Sequence, residues 1–92
     1  MIGVCEVHLH LPNSSSLKNK RRTIKSLKDR IRSKFNVTVA EMGKQDKWQS
    51  AIIDIGYINN SRVRIDQIMQ HVILLINNVA DIVIVEYNTQ IF

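Results

Sequence analysis

The hydrophobic period of this chain switches repeatedly between two residues and about 3.6, and the order of the switches leaves few folds open. Residues 2–11 alternate. Cys5, Val7, Leu9 and Leu11 fall on one face, and Val4, Glu6, His8 and His10 on the other, which reads as a half-buried strand. Pro12 stops it, and Asn13 to Ser16 form a polar loop with Ser16 as N-cap. Over residues 17–35 the period becomes helical, with Leu17, Ile24, Leu27, Ile31 and Phe35 on about an 80° arc. Residues 37–42 alternate again. After the polar turn Gly43 to Lys47, residues 48–58 read as a longer strand with Ala51, Ile53, Ile55 and Tyr57 on one face. Asn59 to Ser61 cap a second, more deeply buried helix over 62–77, and residues 81–91 are a final strand rich in Ile and Val.

The order strand, helix, strand, strand, helix, strand is the split-βαβ, ferredoxin-like plan. It is an α+β fold with a four-stranded antiparallel sheet and both helices on one face. Residues 1–92 then make a single domain, with the first and third strands central and the second and fourth at the edges. A chain this short buries roughly 60–65% of its unfolded surface, so its core is thin and dimerisation would add to it. The one cysteine cannot form an internal disulfide. No signal peptide is visible, and no apolar run exceeds five residues, so no membrane span is expected and the expected compartment is the cytoplasm.

Charge is the second organising feature. The chain carries a net +5, but its distribution is uneven. Residues 17–35 hold nine basic residues and one acid, a net +8, and the remaining four basic residues and seven acids make −3. On the helical wheel Lys18, Arg21, Arg22, Lys25, Lys28 and Arg32 cover a continuous arc of about 120° beside the apolar stripe. They run on the order of 20 Å along the helix, the footprint of a phosphate backbone or another polyanion. Two features favour this over an ordinary solvated face. Lys25–Asp29 is the sole acid–base pair at four-residue spacing, in the weaker order. Lys18, Lys20, Arg21 and Arg22 also crowd the positive end of the helix dipole, each at a cost of roughly 0.3–1 kcal/mol. The expected nucleic-acid contacts are therefore Lys18, Lys20, Arg21, Arg22, Lys25, Lys28 and Arg32, flanked by Lys47 and Trp48.

The uncovered sheet face is expected to show Val4, Glu6, His8, His10, Ile52, Asp54, Ile82, Ile84 and Glu86. Its four aliphatic residues make it an alternative site of action, as a homodimer or partner interface, by face packing or by edge pairing of the last strand. It lacks the aromatic residues with which RNA-recognition motifs stack bases. His8 and His10 share a face, but a His-x-His pair alone is a weak metal or acid–base signal. Cys5 reads as a buried thiol, and Gly3, Gly43 and Gly56 are isolated, so no phosphate-cradling glycine loop is present. Nothing points to an enzyme, a cofactor or a small-molecule substrate.

Several segments carry a family resemblance: Ile2-Gly3-Val4, Leu11-Pro12, Ser16-Leu17-Lys18-Asn19-Lys20-Arg21-Arg22, Phe35-Asn36-Val37-Thr38-Val39-Ala40-Glu41 and Asp46-Lys47-Trp48-Gln49. Together they resemble the YlxP-like family, a bacterial domain of unknown function, across essentially the whole chain. The resemblance implies a ferredoxin-like fold. It also implies a bacterial cytoplasmic protein whose gene commonly lies among genes for translation initiation and ribosome assembly. It supplies no activity and no catalytic residues. The last strand, Asp81 to Phe92, matches the family pattern least.

Overall fold

The computed structural model describes residues 1–92. Its elements are β1 (Ile2–His10), α1 (Leu17–Lys34), β2 (Thr38–Gly43), β3 (Ser50–Ile58), α2 (Arg62–Asn77) and β4 (Val83–Ile91). The strands form one antiparallel sheet in the order β2-β3-β1-β4, which is the ferredoxin-like arrangement expected from the periodicity.

Local chemistry sets the helix ends. The Asn19 N–H donates to Ser16 Oγ at 3.0 Å, and the Arg64 N–H donates to Ser61 Oγ at 3.2 Å, so both helices start at serine caps. The core lies between the helices and the inner sheet face. It joins Cys5, Val7, Leu9 and Leu11, then Ile24, Leu27 and Ile31 of α1, Ile53 and Ile55 of β3, and Ile65, Val72 and Ile76 of α2. Gly3 lets α2 approach β1 closely, because a Cβ there would overlap Ile65 Cγ2.

The two edge strands differ. β2 is six residues long, and its register with β3 shifts between Glu41 and Gly43. The Arg32 guanidinium donates to the Val39 carbonyl of β2 at 2.8 Å. β4 is nine residues long, and none of them is buried. Its register with β1 shifts between His8 and Leu9, so that His8 faces Glu86 while Leu9 faces Ile84.

That bulge corrects the expected outer sheet face. One extra residue in β4 reverses which side chains point inward. Ile82 is buried in the core, and Ile84 lies opposite Leu9 and packs against the core. Neither belongs to the open face. Val83, Glu86, Asn88 and Gln90 take β4's outer positions, opposite His10, His8, Glu6 and Val4. The outer face is therefore less apolar than the alternation implies: of its four expected aliphatic residues it loses Ile82 and Ile84 and gains Val83.

Candidate nucleic-acid interface

α1 presents its charge where the expected contacts put it, with one exception. Ile24, Leu27 and Ile31 are buried against the sheet, and Lys18, Arg21, Arg22, Lys25, Arg30, Arg32 and Lys34 are exposed. Lys28 is half-buried. Carboxylates reach few of these cations. Lys25 Nζ lies 3.0 Å from Asp29 Oδ2, and Arg32 Nη1 lies 3.9 Å from Asp29 Oδ1. Lys18, Arg21, Arg22, Lys28, Arg30 and Lys34 have no carboxylate within 4.0 Å. Over about three turns of the exposed flank, Arg22, Lys25, Ser26, Asp29, Arg30 and Ser33 line a shallow open depression. Arg30 lines this flank with Arg22 and Lys25 but lies on the opposite side of the helix from Arg21, outside the stripe, as the sequence reading has it.

The exception is Lys20. Its side chain is 1% exposed, and its Nζ lies 3.0 Å from Glu41 Oε2 of β2. It also donates to the Lys44 carbonyl. A lysine held from both sides inside the domain cannot meet a surface-bound phosphate, so Lys20 leaves the expected contact set. The sequence held a signal for this. Leu17, Lys20, Ile24, Leu27 and Ile31 repeat at spacings of three and four, which puts Lys20 on the apolar stripe. Arg32 is half-committed, since it also caps β2.

The loops at one end of the sheet converge on the start of α1. Gln49 Nε2 donates to the carbonyls of Pro12 and Ser14, each at 3.2 Å. The Leu11 N–H donates to the Gln49 carbonyl at 2.9 Å. Lys20 grips the other side of the same hairpin through Lys44, a non-glycine residue at φ 59°. Lys44, Lys47 and Trp48 are therefore exposed on a turn tied to the loop that leads into α1. Trp48 is 55% exposed, an open ring on which a base can stack. Lys44 was not among the expected contacts. It reads as part of a polar turn, and only the tertiary tie brings it beside the helix.

The outer sheet face holds a separate polar cluster. His8 Nε2 lies 2.7 Å from Glu6 Oε1, and His8 Nδ1 lies 3.7 Å from Glu86 Oε1. His10 instead turns to the Gln49 carbonyl, 3.0 Å from its Nδ1. No three His, Cys, Asp or Glu side chains gather in a metal-holding group. Asp54 lies directly across from Glu6, and its Oδ1 is buried without a hydrogen-bond partner. Loss of solvation, with Glu6 adding to it, raises the Asp54 pKa, and His8 partly opposes the shift. Burial likewise pushes the Cys5 thiol up. No helix is long and apolar enough to cross a membrane.

Residues 2–89 match the family described as a protein of unknown function, DUF503. The chain belongs to the DUF503 family. It is 35% identical over 82 residues to the uncharacterized protein YlxP of Bacillus subtilis (strain 168), an alignment that covers 89% of each chain. The family expected from the Ser16–Arg22 and Asp46–Gln49 motifs is thereby shown. The de novo designed protein Foldit4 superimposes with a TM-score of 0.63 at 15% identity, covering 100% of this chain and 99% of that one. At that identity the likeness concerns the fold alone.

Proposed function

We propose that this protein is a non-enzymatic RNA-binding factor that acts in translation or ribosome maturation and grips phosphates through the outer face of α1. The observation that carries this reading is the set of exposed cations without carboxylate partners, Lys18, Arg21 and Arg22, with Lys28 beside them. Lys44, Lys47 and Trp48 extend the surface around the start of the helix, so that phosphate contacts position a strand and one base stacks. The gene neighbourhood implied by the YlxP-like resemblance supports translation as the setting.

The test is binding to a single-stranded RNA over a salt series, with an Arg21→Glu, Arg22→Glu, Lys25→Glu variant beside the unaltered protein. Four to six phosphate contacts give a log–log salt slope of about −3 to −4. The variant is expected to lose binding while keeping its circular dichroism spectrum. An affinity indifferent to salt, or a variant that binds as well as the parent, overturns the reading.

A further inference from the structure

The edge of the sheet at β4 has a property that the function proposed for α1 leaves unused. The reciprocal bonds Ile2 N–H to Phe92 carbonyl, 2.9 Å, and Phe92 N–H to Ile2 carbonyl, 2.8 Å, fix the phase of the β1–β4 ladder. In an antiparallel pair, hydrogen-bonded and non-hydrogen-bonded positions alternate. With Gly3 opposite Ile91 and Glu6 opposite Asn88, residues 90 and 88 bond inward to β1. Tyr87, Thr89 and Ile91 therefore turn their N–H and C=O groups outward, to the free edge.

This edge lacks the usual safeguards. It contains no proline, lysine or arginine, and Glu86 is its one charge. Val85 is 66% exposed and Tyr87 56%. On the helix side, Tyr87 and Thr89 share a groove with Asp66, Met69, Gln70 and Ile73 of α2.

We infer that a second copy of this chain pairs here, β4 against β4, to make a continuous eight-stranded antiparallel sheet. The phase of the outward groups and the charge narrow the register, and the inferred one has its axis at Asn88. Outward groups meet outward groups only if the two-fold axis passes beside a residue rather than between two. An axis at Glu86 sets that carboxylate against its own copy, which costs stability. An axis at Asn88 keeps the pairing within the regular stretch after the bulge. It places Tyr87 opposite Thr89 of the second copy in a doubly hydrogen-bonded pair, with Glu86 facing neutral Gln90. Asn88 then meets Asn88 across the axis at a close, non-hydrogen-bonded position, with Cα atoms about 4.5 Å apart.

That geometry defines the experiment. Cys5, the only native cysteine, is buried, so a single introduced cysteine reports contact between copies. Under mild oxidation Asn88→Cys is expected to form a disulfide-linked dimer readily, because its Cα spacing suits a disulfide. Tyr87→Cys, offset by two residues from its copy, is expected to crosslink far less. Sedimentation of the unaltered full chain over a concentration series is expected to show a monomer–dimer equilibrium. Val85→Lys with Tyr87→Lys is expected to weaken it about tenfold or more, with the far-UV spectrum unchanged. Thr89→Pro, which removes an outward N–H along with the Thr89 side chain beside Cys5, is a second route to the monomer. Three results overturn the inference. One is a protein that stays monomeric at millimolar concentration, another is a dimer indifferent to these substitutions, and the third is equal crosslinking at both cysteine positions. Since α1 lies away from this edge, loss of RNA binding in the charge-reversed α1 variant leaves the dimer test standing, and the converse holds.

Discussion

Replacing Lys20 by methionine tests whether that residue serves the fold or the ligand. The substitution keeps the chain's length and apolar stem but removes the cation 3.0 Å from Glu41 Oε2 and the donor to the Lys44 carbonyl. Glu41 is then left as a largely buried carboxylate with 17% side-chain exposure and no partner. Removing one member of a buried pair costs roughly 3–5 kcal/mol, because the other charge stays desolvated. The residual exposure of Glu41 puts the expected loss near the lower bound, about 3 kcal/mol. For a domain of this size that lowers Tm by roughly 12–24 °C. Pairing it with Glu41→Leu removes the stranded charge, and the double variant is expected to regain most or all of the lost stability. Thermal and urea unfolding followed by circular dichroism measure all four corners of the cycle. RNA affinity at a temperature where every variant is folded is expected to change little. A single variant that loses under about 1 kcal/mol refutes the account of Lys20 as a buried strut. A folded double variant with RNA binding abolished would return Lys20 to the ligand surface.

Two further outcomes follow from the sheet. Asp54, desolvated and opposite Glu6, has a raised pKa, so the folded state holds its proton to higher pH than the unfolded state does. Its ionisation therefore lowers stability as pH rises through the folded pKa. Asp54→Asn is expected to stabilise the domain at neutral pH by roughly 0.2–1 kcal/mol, with the gain shrinking on acidification. An unfolding series across pH that shows no difference, or the opposite trend, counts against it. Gly3→Ala is expected to destabilise by about 1–3 kcal/mol through overpacking, because the new methyl meets Ile65 Cγ2. A denaturation midpoint equal to that of the parent would show that α2 can shift freely.

Much of the fold is legible in the sequence because its elements follow their periods. The 62–77 helix and the serine caps at 16 and 61 emerge from spacing and side-chain chemistry alone. The last strand does not, because Ile82 to Val85 are aliphatic on both faces. Alternation carries no phase information there, and the bulge that sets the phase arises from pairing with His8 and Leu9. The basic stripe is legible because helical angles are fixed by geometry. Lys20 misleads only when charge is weighed before position. Its spacing marks it as inward, and Glu41 continues the inward alternation of Val37 and Val39, so the two halves of the buried pair are each written in the pattern. Lys44 is not legible, since its place beside α1 depends on a hydrogen bond across 24 residues.

The irregular end of β2 limits how far this sheet can be extended. The register shift between Glu41 and Gly43 twists that margin, and the Arg32 guanidinium occupies the Val39 carbonyl. An incoming strand finds one of its acceptors already taken and the next residues out of line. A domain with two open margins, each pairing with its like, would extend the sheet without limit. Here the β2 margin is closed to growth, so strand pairing between copies is confined to the β4 margin. That restriction comes from an arginine and a bulge on the far side of the molecule from β4.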